Sequence, residues 1–199
     1  MKYLLWPLLI LLVPTIAMAL EGGILGVYAD QTADCLVFDT PGVKTLYVIN
    51  RFSTGSTKSQ FRIEFSPGFT GSIVSYAASA GSVSGDPLTG LNVNYGSCLA
   101  GEIEVLQVQV MLTGTSAECS WVRIMPVATS VDGDVDTYDC VSARHAAMWA
   151  GTHIQHTFPP FCPDLAGSGG HTSYYGCQPT DEPLAVNTST WGMVKSLYR

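Results

Sequence analysis

The sequence predicts an all-β chain folded as an antiparallel sandwich, and three observations lead to this prediction. Apolar and polar residues alternate through most of residues 24–160, as they do in strands that bury one face. Turn segments rich in glycine, proline and aspartate separate these runs at short intervals, which favours hairpins over helical crossovers. No stretch between residues 24 and 160 shows helical periodicity.

The clearest strands are three segments with strict alternation. "SQFRIEF" (59–65) and "GLNVNYG" (90–96) are two of them, and "EVLQVQVML" (104–112) is the third. The residues expected to point into the core are Phe61, Ile63, Phe65, Leu91, Val93, Tyr95, Leu106, Val108, Val110 and Leu112. "TLYVINRF" (45–52) is more continuously apolar, as expected of a central strand.

Further strands are expected in "ILGVYAD", "GSIVSYAA", "SWVRIMPV" and "DVDTYDC", and Trp121 is expected to fill the core. Turns are expected at "STGST" (53–57), "SGDPLTG" (84–90) and "AGT" (150–152), among others.

Residues 1–19 read as a secretory signal peptide. Lys2 precedes an apolar run from Leu4 to Val13, and Ala17-Met18-Ala19 supplies the small-x-small cleavage pattern. The run is shorter than the roughly 20 residues that span a bilayer. We therefore expect a secreted or extracytoplasmic protein, in the periplasm or at the cell surface, with no membrane span in the mature chain.

The remainder divides into four parts by composition. We expect a β-sandwich domain at 20–160 and a disulfide-closed loop at 161–178, where proline and glycine become frequent. A polar linker follows at 179–188, and a short helical tail at 189–199. In the tail, Thr190 is a plausible N-cap, and Trp191, Val194 and Leu197 fall at helical spacing.

The charge pattern argues against two classes of partner. The chain carries nine lysine and arginine residues against 16 aspartates and glutamates, a formal charge of −7. It has no basic stripe, so nucleic acid and anionic membrane surfaces are poor partners. The expected partner is a protein or a glycan at the cell surface.

Six cysteines follow the signal segment: Cys35, Cys98, Cys119, Cys140, Cys162 and Cys177. An even number in an exported chain predicts three disulfides. Zinc is the alternative, but the sequence contains no Cys-x-x-Cys pair. Cys162–Cys177 is the best-supported pairing because it is local and closes a glycine-rich loop, and Cys35–Cys98 and Cys119–Cys140 follow only by default.

The order of several motifs resembles a group of uncharacterised secreted proteins of environmental bacteria. The shared features are an early Tyr-Ala-Asp (28–30), a Gly-Ser-Cys turn (96–98), an Asp-Cys pair (139–140) and a C-terminal Thr-Trp-Gly-x-x-Lys-x-Leu-Tyr segment. In that last segment the motif positions are held by Trp191, Gly192, Lys195, Leu197 and Tyr198. The resemblance implies an immunoglobulin-like or cohesin-like sandwich and an extracytoplasmic location, and it implies no activity.

Asp132, Asp134 and Asp136 form an Asp-x-Asp-x-Asp run. Alternate carboxylates on a strand share a face, and hard oxygen ligands arranged in this way suit calcium. The run departs from the EF-hand pattern, because Thr137 and Ala143 stand where its glycine and its bidentate glutamate belong. Two interpretations therefore stay open. The run binds calcium as a cofactor, or its members are solvated acids of a turn and a strand.

Histidines and tyrosines give two more candidate sites. His145, His153, His156 and His171 could ligate a metal or could simply be surface and packed histidines. In the loop from Cys162 to Cys177, the candidate binding residues are His171, Tyr174 and Tyr175. Aromatics on a braced loop can stack on a sugar or contact a partner protein, and they can equally cap the end of the sandwich.

No enzyme signature is present in the sequence. It lacks Gly-x-Ser-x-Gly, His-Glu-x-x-His, a phosphate-binding glycine loop and a redox Cys-x-x-Cys. We therefore predict no enzyme and no catalytic residue. The leading hypothesis is an exported, non-catalytic β-sandwich module for cell-surface binding, adhesion or assembly, which works through sheet edges or the loops at one end.

Two alternatives are a secreted calcium- or carbohydrate-binding domain and a hydrolase whose site no motif marks. The tail has two interpretations of its own. It is either a handle for export or attachment machinery, or a structural cap that folds back on the sandwich.

Overall fold

The computed structural model describes residues 22–33, 36–117 and 119–155, and this part of the chain is all-β, as predicted. These ranges contain nine strands and no helix, and hence no helix that could cross a membrane. The strands are β1 (Ile24–Tyr28), β2 (Leu36–Phe38), β3 (Gly42–Phe65), β4 (Gly71–Ala78), β5 (Ser82–Asp86), β6 (Gly90–Leu112), β7 (Ser120–Met125), β8 (Val135–Tyr138) and β9 (Arg144–Gln155).

Several predicted segments lie outside the described residues. They are the signal peptide (1–19), the disulfide-closed loop (161–178), the linker (179–188) and the helical tail (189–199). Their boundaries, and the secreted location that depends on the first of them, stay predictions.

Two long antiparallel strands, β3 and β6, organise the sandwich. Their ladder runs from Gly42 opposite Leu112 to Phe61 opposite Leu91. The first half of β3 also pairs with β1, and the second half with β8 and β7. On its other side, β6 carries β4 beside its C-terminal half and β5 beside its N-terminal half. The two halves of the β3–β6 pair therefore belong to two layers, whose inner faces meet in one core.

The alternation read from the sequence correctly identifies the core-facing residues of these strands. Phe61 and Ile63 are buried in β3, and Phe65 is half-buried against the same core. The predicted inward residues of β6 are all buried: Leu91, Val93, Tyr95, Leu106, Val108, Val110 and Leu112. Burying an apolar side chain of this size stabilises the fold by about 1.5–3 kcal/mol.

The prediction for Trp121 is wrong, because in β7 it is Val122 and Ile124 that point into the core. Trp121 lies half-buried on the outer face, where the Arg123 guanidinium stacks 4.0 Å from its ring centroid and 5.3 Å from that of Trp149. Arg123 is also bridged to Glu64 at 2.7 Å. The stack shields the indole faces, which explains how a tryptophan is accommodated outside the core.

Turns expected at 53–57 and 150–152 are absent, since these residues continue β3 and β9. In β3 the strand bends instead of ending. The ladder with β6 shifts register between residues 48 and 58, and Phe52 and Gly55 adopt positive φ values of 60° and 150°. Turn-forming residues thus produce an irregular bend that carries one strand from the first layer into the second.

Buried polar side chains line this bend. Asn50, Ser53, Ser56 and Ser59 are all buried. The hydroxyls of Ser53 and Ser56 lie 2.9 Å apart, and the hydroxyl of Ser59 is hydrogen-bonded to that of Tyr95. Burial raises the pKa of Tyr95 to about 12, so this hydroxyl stays neutral. Serines suit this position because a disrupted ladder leaves backbone groups that need local partners.

Most strand pairs are antiparallel, as expected, but β9 adds two parallel pairings. It runs parallel to β1 and to β2, and antiparallel to β7 and β8. The sheet is therefore mixed. A single strand that contacts four others cannot be recognised from alternation within its own sequence.

A disulfide joins Cys98 to Cys140 across β3. Cys98 lies in β6 and Cys140 directly follows the β8 region, and β3 pairs with both strands. The bridge passes over Gly55, where a Cβ atom would lie 2.8 Å from Sγ of Cys140 and 3.4 Å from Sγ of Cys98. Glycine is required here by its φ value as well as by this close approach.

The default pairings Cys35–Cys98 and Cys119–Cys140 are consequently wrong. Cys119 is disulfide-bonded as well, and none of the cysteines in the described ranges is free. Which cysteines meet depends on the order of strands in the sheet. The sequence does not show that β3 lies between the strands that bring Cys98 and Cys140 together, so it does not predict this pair. The predicted pair Cys162–Cys177 lies outside the described residues.

We expect Gly55→Ala to destabilise the protein. The φ value alone costs a residue with a side chain about 1–3 kcal/mol, and the new methyl group must also displace the disulfide. In a chain of this size each 1 kcal/mol lowers the melting temperature by about 2–4 °C. Thermal unfolding followed by circular dichroism measures the loss.

Gly114→Ala is the matched control, since its Cβ would meet nothing within 4 Å. This control should melt close to the wild type. Equal losses for the two variants would show that the passage beneath the disulfide imposes no special constraint.

Candidate functional site

A cleft of 320 Å³ opens along one side of the sandwich, between β4 and the turn that connects β5 to β6. We call it the side cleft. Its lining residues are Phe65, Gly71, Ser72, Ile73, Val74, Ser75, Tyr76, Asp86, Pro87 and Leu88. It is lined along one side by six consecutive residues of β4 (71–76) and along the other by the β5–β6 turn.

β4 is an edge strand of the described sheet. Among the described residues its ladder partner is β6 alone. An edge strand presents a row of backbone N–H and C=O groups that can pair with another chain. The side cleft therefore offers hydrogen-bonding backbone together with side-chain contacts.

A β-bulge alters the side-chain pattern of β4. Ile73 lies opposite Val110 and Ser75 opposite Gln109, so Val74 is the extra residue in the ladder. Bulges turn a side chain away from its regular direction, and Val74 is 51% exposed while the neighbouring Ile73 packs against the core. The irregularity presents an apolar side chain to solvent beside the open edge.

Leu88 and Tyr76 contribute two more apolar surfaces to the side cleft. Leu88 is 51% exposed, and its turn is held by Asp86, whose Oδ1 accepts hydrogen bonds from the backbone N–H groups of Leu88 and Thr89. Tyr76 donates from its hydroxyl to the carbonyl oxygen of Gly85 at 2.8 Å. This last bond ties β4 to β5 at one end of the side cleft.

The side cleft has little of the chemistry that catalysis needs. Asp86 is the one carboxylate among its lining residues, and that carboxylate is engaged in its own turn. The lining includes no histidine, cysteine or lysine. A cleft whose one carboxylate is engaged in its own turn, with apolar side chains beside a strand edge, is suited to binding an extended polypeptide.

Sequence reasoning placed these residues in a strand and a turn but did not single them out. One feature of these residues is visible in the sequence, since "GSIVSYAA" (71–78) contains no charged residue and no proline. The sequence does not show that this strand lies at a sheet edge or that Leu88 faces it.

The aspartate run has an internal partner. Arg144 binds Oδ2 of Asp132 at 2.6 Å and Oδ1 of Asp136 at 2.7 Å. These hydrogen bonds, and above all the one that Arg144 donates to Asp136, raise the pKa of Arg144 above its usual value. The third member, Asp134, supplies its backbone carbonyl to the hydroxyl of Ser130. A guanidinium thus bridges two of the three carboxylates proposed for calcium.

Within the described residues no group of three or more histidine, cysteine, aspartate or glutamate side chains is placed to hold a metal ion. His145 binds Asp139 at 3.1 Å, and this hydrogen bond is the main reason that the pKa of Asp139 is lowered. His153 is half-buried in β9, opposite Trp121. Calcium binding by the aspartate run stays a prediction.

The remaining candidates lie outside the described residues. They are the loop residues His171, Tyr174 and Tyr175, the histidine His156, and the tail residues Trp191, Gly192, Lys195, Leu197 and Tyr198. The roles proposed for the loop and the tail stay predictions.

Comparison with known proteins gives a distant structural similarity. No protein-family model matches the chain, and no curated protein sequence matches it. Among solved structures, the chain is similar to a cohesin module from the family 33 glycoside hydrolase of Clostridium perfringens ATCC13124, with a TM-score of 0.49 and 6% sequence identity. The match covers 67% of this chain and 96% of that chain.

We expect Arg144→Gln to destabilise the protein by roughly 1–3 kcal/mol, because it leaves the buried carboxylate of Asp136 without its charged partner. Chemical denaturation measures the change. Glu102→Gln is the control, since it breaks the more exposed Arg51–Glu102 pair and keeps the contacts of Arg51 with its aromatic neighbours, and an exposed pair contributes about 0.2–1 kcal/mol.

Calcium titration of the same two variants tests the aspartate run. If the run can bind calcium once Arg144 is removed, calcium should raise the melting temperature of Arg144→Gln more than that of Glu102→Gln. Equal melting temperatures with calcium and with a chelator, in both variants, would contradict a calcium site.

Proposed function

We propose that this protein is an exported, non-catalytic β-sandwich module that binds a partner protein at the cell surface. In this proposal the partner contributes an extended segment, which pairs with the edge of β4 that has no ladder partner among the described residues and places side chains in the side cleft. The proposal specifies the class of partner as polypeptide, and it assigns the working surface to a sheet edge.

The observation that carries the proposal is the uncharged edge of β4. Natural proteins guard edge strands with lysines, prolines, inward-pointing charges or β-bulges, which prevent unwanted pairing. Of these devices β4 has only the bulge, and its eight residues include no charge and no proline. The bulge leaves Val74 51% exposed, which adds apolar surface beside the edge. An uncharged edge with exposed apolar surface can pair with another strand.

The side cleft supports the proposal because it can supply specificity. Strand addition gives affinity through main-chain hydrogen bonds, while pockets beside the edge select alternate side chains. Here Leu88 and Phe65 provide apolar walls, and the ring of Phe69 stacks on Phe65 with centroids 4.5 Å apart. A partner segment that alternates apolar and small polar residues fits this arrangement best.

Export is supported by the cysteines. The Cys98–Cys140 bridge joins positions 42 residues apart in the chain, and disulfides of this kind persist in oxidising compartments. The apolar segment at 4–13 and the cleavage pattern at 17–19 agree with that location.

Site-specific photocrosslinking in the native host tests the proposal. We expect benzoylphenylalanine in place of Val74 to give a discrete crosslinked species in the cell envelope, because the partner strand lies against this position. Gel mobility and mass spectrometry of the adduct identify what is bound.

The same probe in place of Val131 is the control, since Val131 is 88% exposed and distant in sequence from β4. This position should give no discrete adduct. The absence of an adduct at Val74, or the same adducts at both positions, would contradict binding at the edge.

A further inference from the structure

We propose that a pocket on the outer face of β3, β5 and β6 binds a neutral sugar unit of a glycan. The pocket has a volume of 260 Å³ and is lined by these three strands, by the β5–β6 turn and by residues 127–129, which follow β7. We call it the amide pocket. The inference goes beyond the proposed function, because the amide pocket shares no lining residue with the side cleft and takes a different class of ligand.

A cross-strand row of polar side chains lies at the base of the amide pocket. Gln60 of β3 is opposite Asn92 of β6, and Asn92 is opposite Ser84 of β5. All three lie on the face away from the core, since the adjacent residues Phe61 and Leu91 are buried. Side chains directly opposite one another have Cβ atoms about 4.5–5.5 Å apart. Two carboxamides and a hydroxyl can therefore bind neighbouring hydroxyl groups of one sugar ring.

The backbone beneath this row is already paired on both sides. At Gln60, β3 pairs with β8 and with β6, and at Asn92, β6 pairs with β3 and with β5. A polypeptide strand cannot extend the sheet here, so recognition depends on side chains. A carboxamide both donates and accepts hydrogen bonds, as a sugar hydroxyl does, and this makes the two groups complementary.

The amide of Gln60 is held in one orientation. The hydroxyl of Tyr138 donates to Oε1 of Gln60 at 3.2 Å, which leaves the NH₂ group of Gln60 as a donor. A side chain fixed in this way loses less conformational entropy when it binds a ligand.

The wall formed by residues 127–129 is anchored at both ends. Nε of Arg62 donates to the carbonyl oxygen of Pro126 at 3.1 Å, and the backbone N–H of Ser130 donates to the carbonyl oxygen of Val127 at 3.0 Å. Val127 also lies close to Gly90, where a Cβ atom would be 3.2 Å from Cγ1 of Val127. The wall is thus preformed, and Val127 and Ala128 supply the apolar surface that the C–H groups of a sugar ring contact.

The charge and size of the amide pocket favour a single neutral unit. Its lining includes no ionisable side chain, so a charged ligand finds no counterion there. The carboxylate of Asp136, opposite Gln60, is bound by Arg144 at 2.7 Å. Pockets for drug-sized ligands have volumes of about 300–1,000 Å³, and the amide pocket is slightly smaller than this.

NMR titration of the ¹⁵N-labelled full chain is the test, and four neutral sugars are the probes: glucose, galactose, mannose and N-acetylglucosamine. At least one of them should bind saturably and shift the side-chain amide signals of Gln60 and Asn92. Glucuronate is the charged control, and it should bind more weakly than glucose because the amide pocket offers no cation.

Asn92→Ala should raise the Kd of the bound sugar by about five- to tenfold, as expected for the loss of one or two hydrogen bonds. Asn94→Ala is the matched control. It makes the same change two residues along the same face of β6, outside the lining of the amide pocket, and should leave Kd unchanged. Thr129→Val is the second variant, for the case in which Asn92→Ala disturbs the sheet. It removes one hydroxyl from the exposed wall and should also raise Kd.

The proposal is overturned if none of the four sugars binds saturably, or if glucuronate binds as tightly as glucose. It is also overturned if Thr129→Val and a folded Asn92→Ala both bind with the Kd of Asn94→Ala, because the sugar then binds elsewhere. None of the residues changed here lines the side cleft, so the result is independent of the crosslinking experiment at Val74.

Discussion

The antiparallel pairing of β3 with β6 is the interaction on which the rest of this structure depends. These two strands supply the central ladder of both layers, and their inward residues make up most of the core. The pair can serve two layers only because it bends. The bend needs positive φ values at Phe52 and Gly55, buried serine hydroxyls, and a glycine small enough to pass beneath the Cys98–Cys140 bridge.

The same pairing leads to the candidate site. Since β6 spans both layers, the strands on its outer side are divided between them, with β4 beside one half and β5 beside the other. The edges of the two layers therefore face each other on one side of the molecule, and the side cleft is the space between them. The binding proposed for this place needs no specialised loop, because the contacts would come from a backbone edge and the exposed side chains of Val74 and Leu88.

Local sequence patterns predict the core of this structure but not the order in which its strands pair. Alternation identified Phe61, Ile63, Leu106 and Val108 as inward-facing because period two is a property of each strand alone. Trp121 lies outside the core because the inward positions of β7 are held by Val122 and Ile124. The disulfide partner of Cys98 and the edge position of β4 depend on strand order, which is decided by contacts between distant segments.

The side cleft was only partly predictable for the same reason. A sheet edge was expected as the working surface, and "GSIVSYAA" was recognised as a strand. Which strand forms the edge, and the bulge that exposes Val74, follow from its register against β6. For the aspartate run, the local spacing predicts calcium ligands. The structure places Arg144 of β9 next to two of these carboxylates, so both have a charged partner within the chain.

Amide hydrogen exchange across β4 is the most direct test of the central claim that this edge is open to a partner strand. In dilute purified full chain, the amides of residues 72–76 that are not bonded to β6 should exchange quickly, and they should become protected when a strand is added. Amides in the middle of β3 should be protected throughout. Equal protection of all β4 amides in the dilute protein would show that the edge is already covered within the chain, and this would contradict the account.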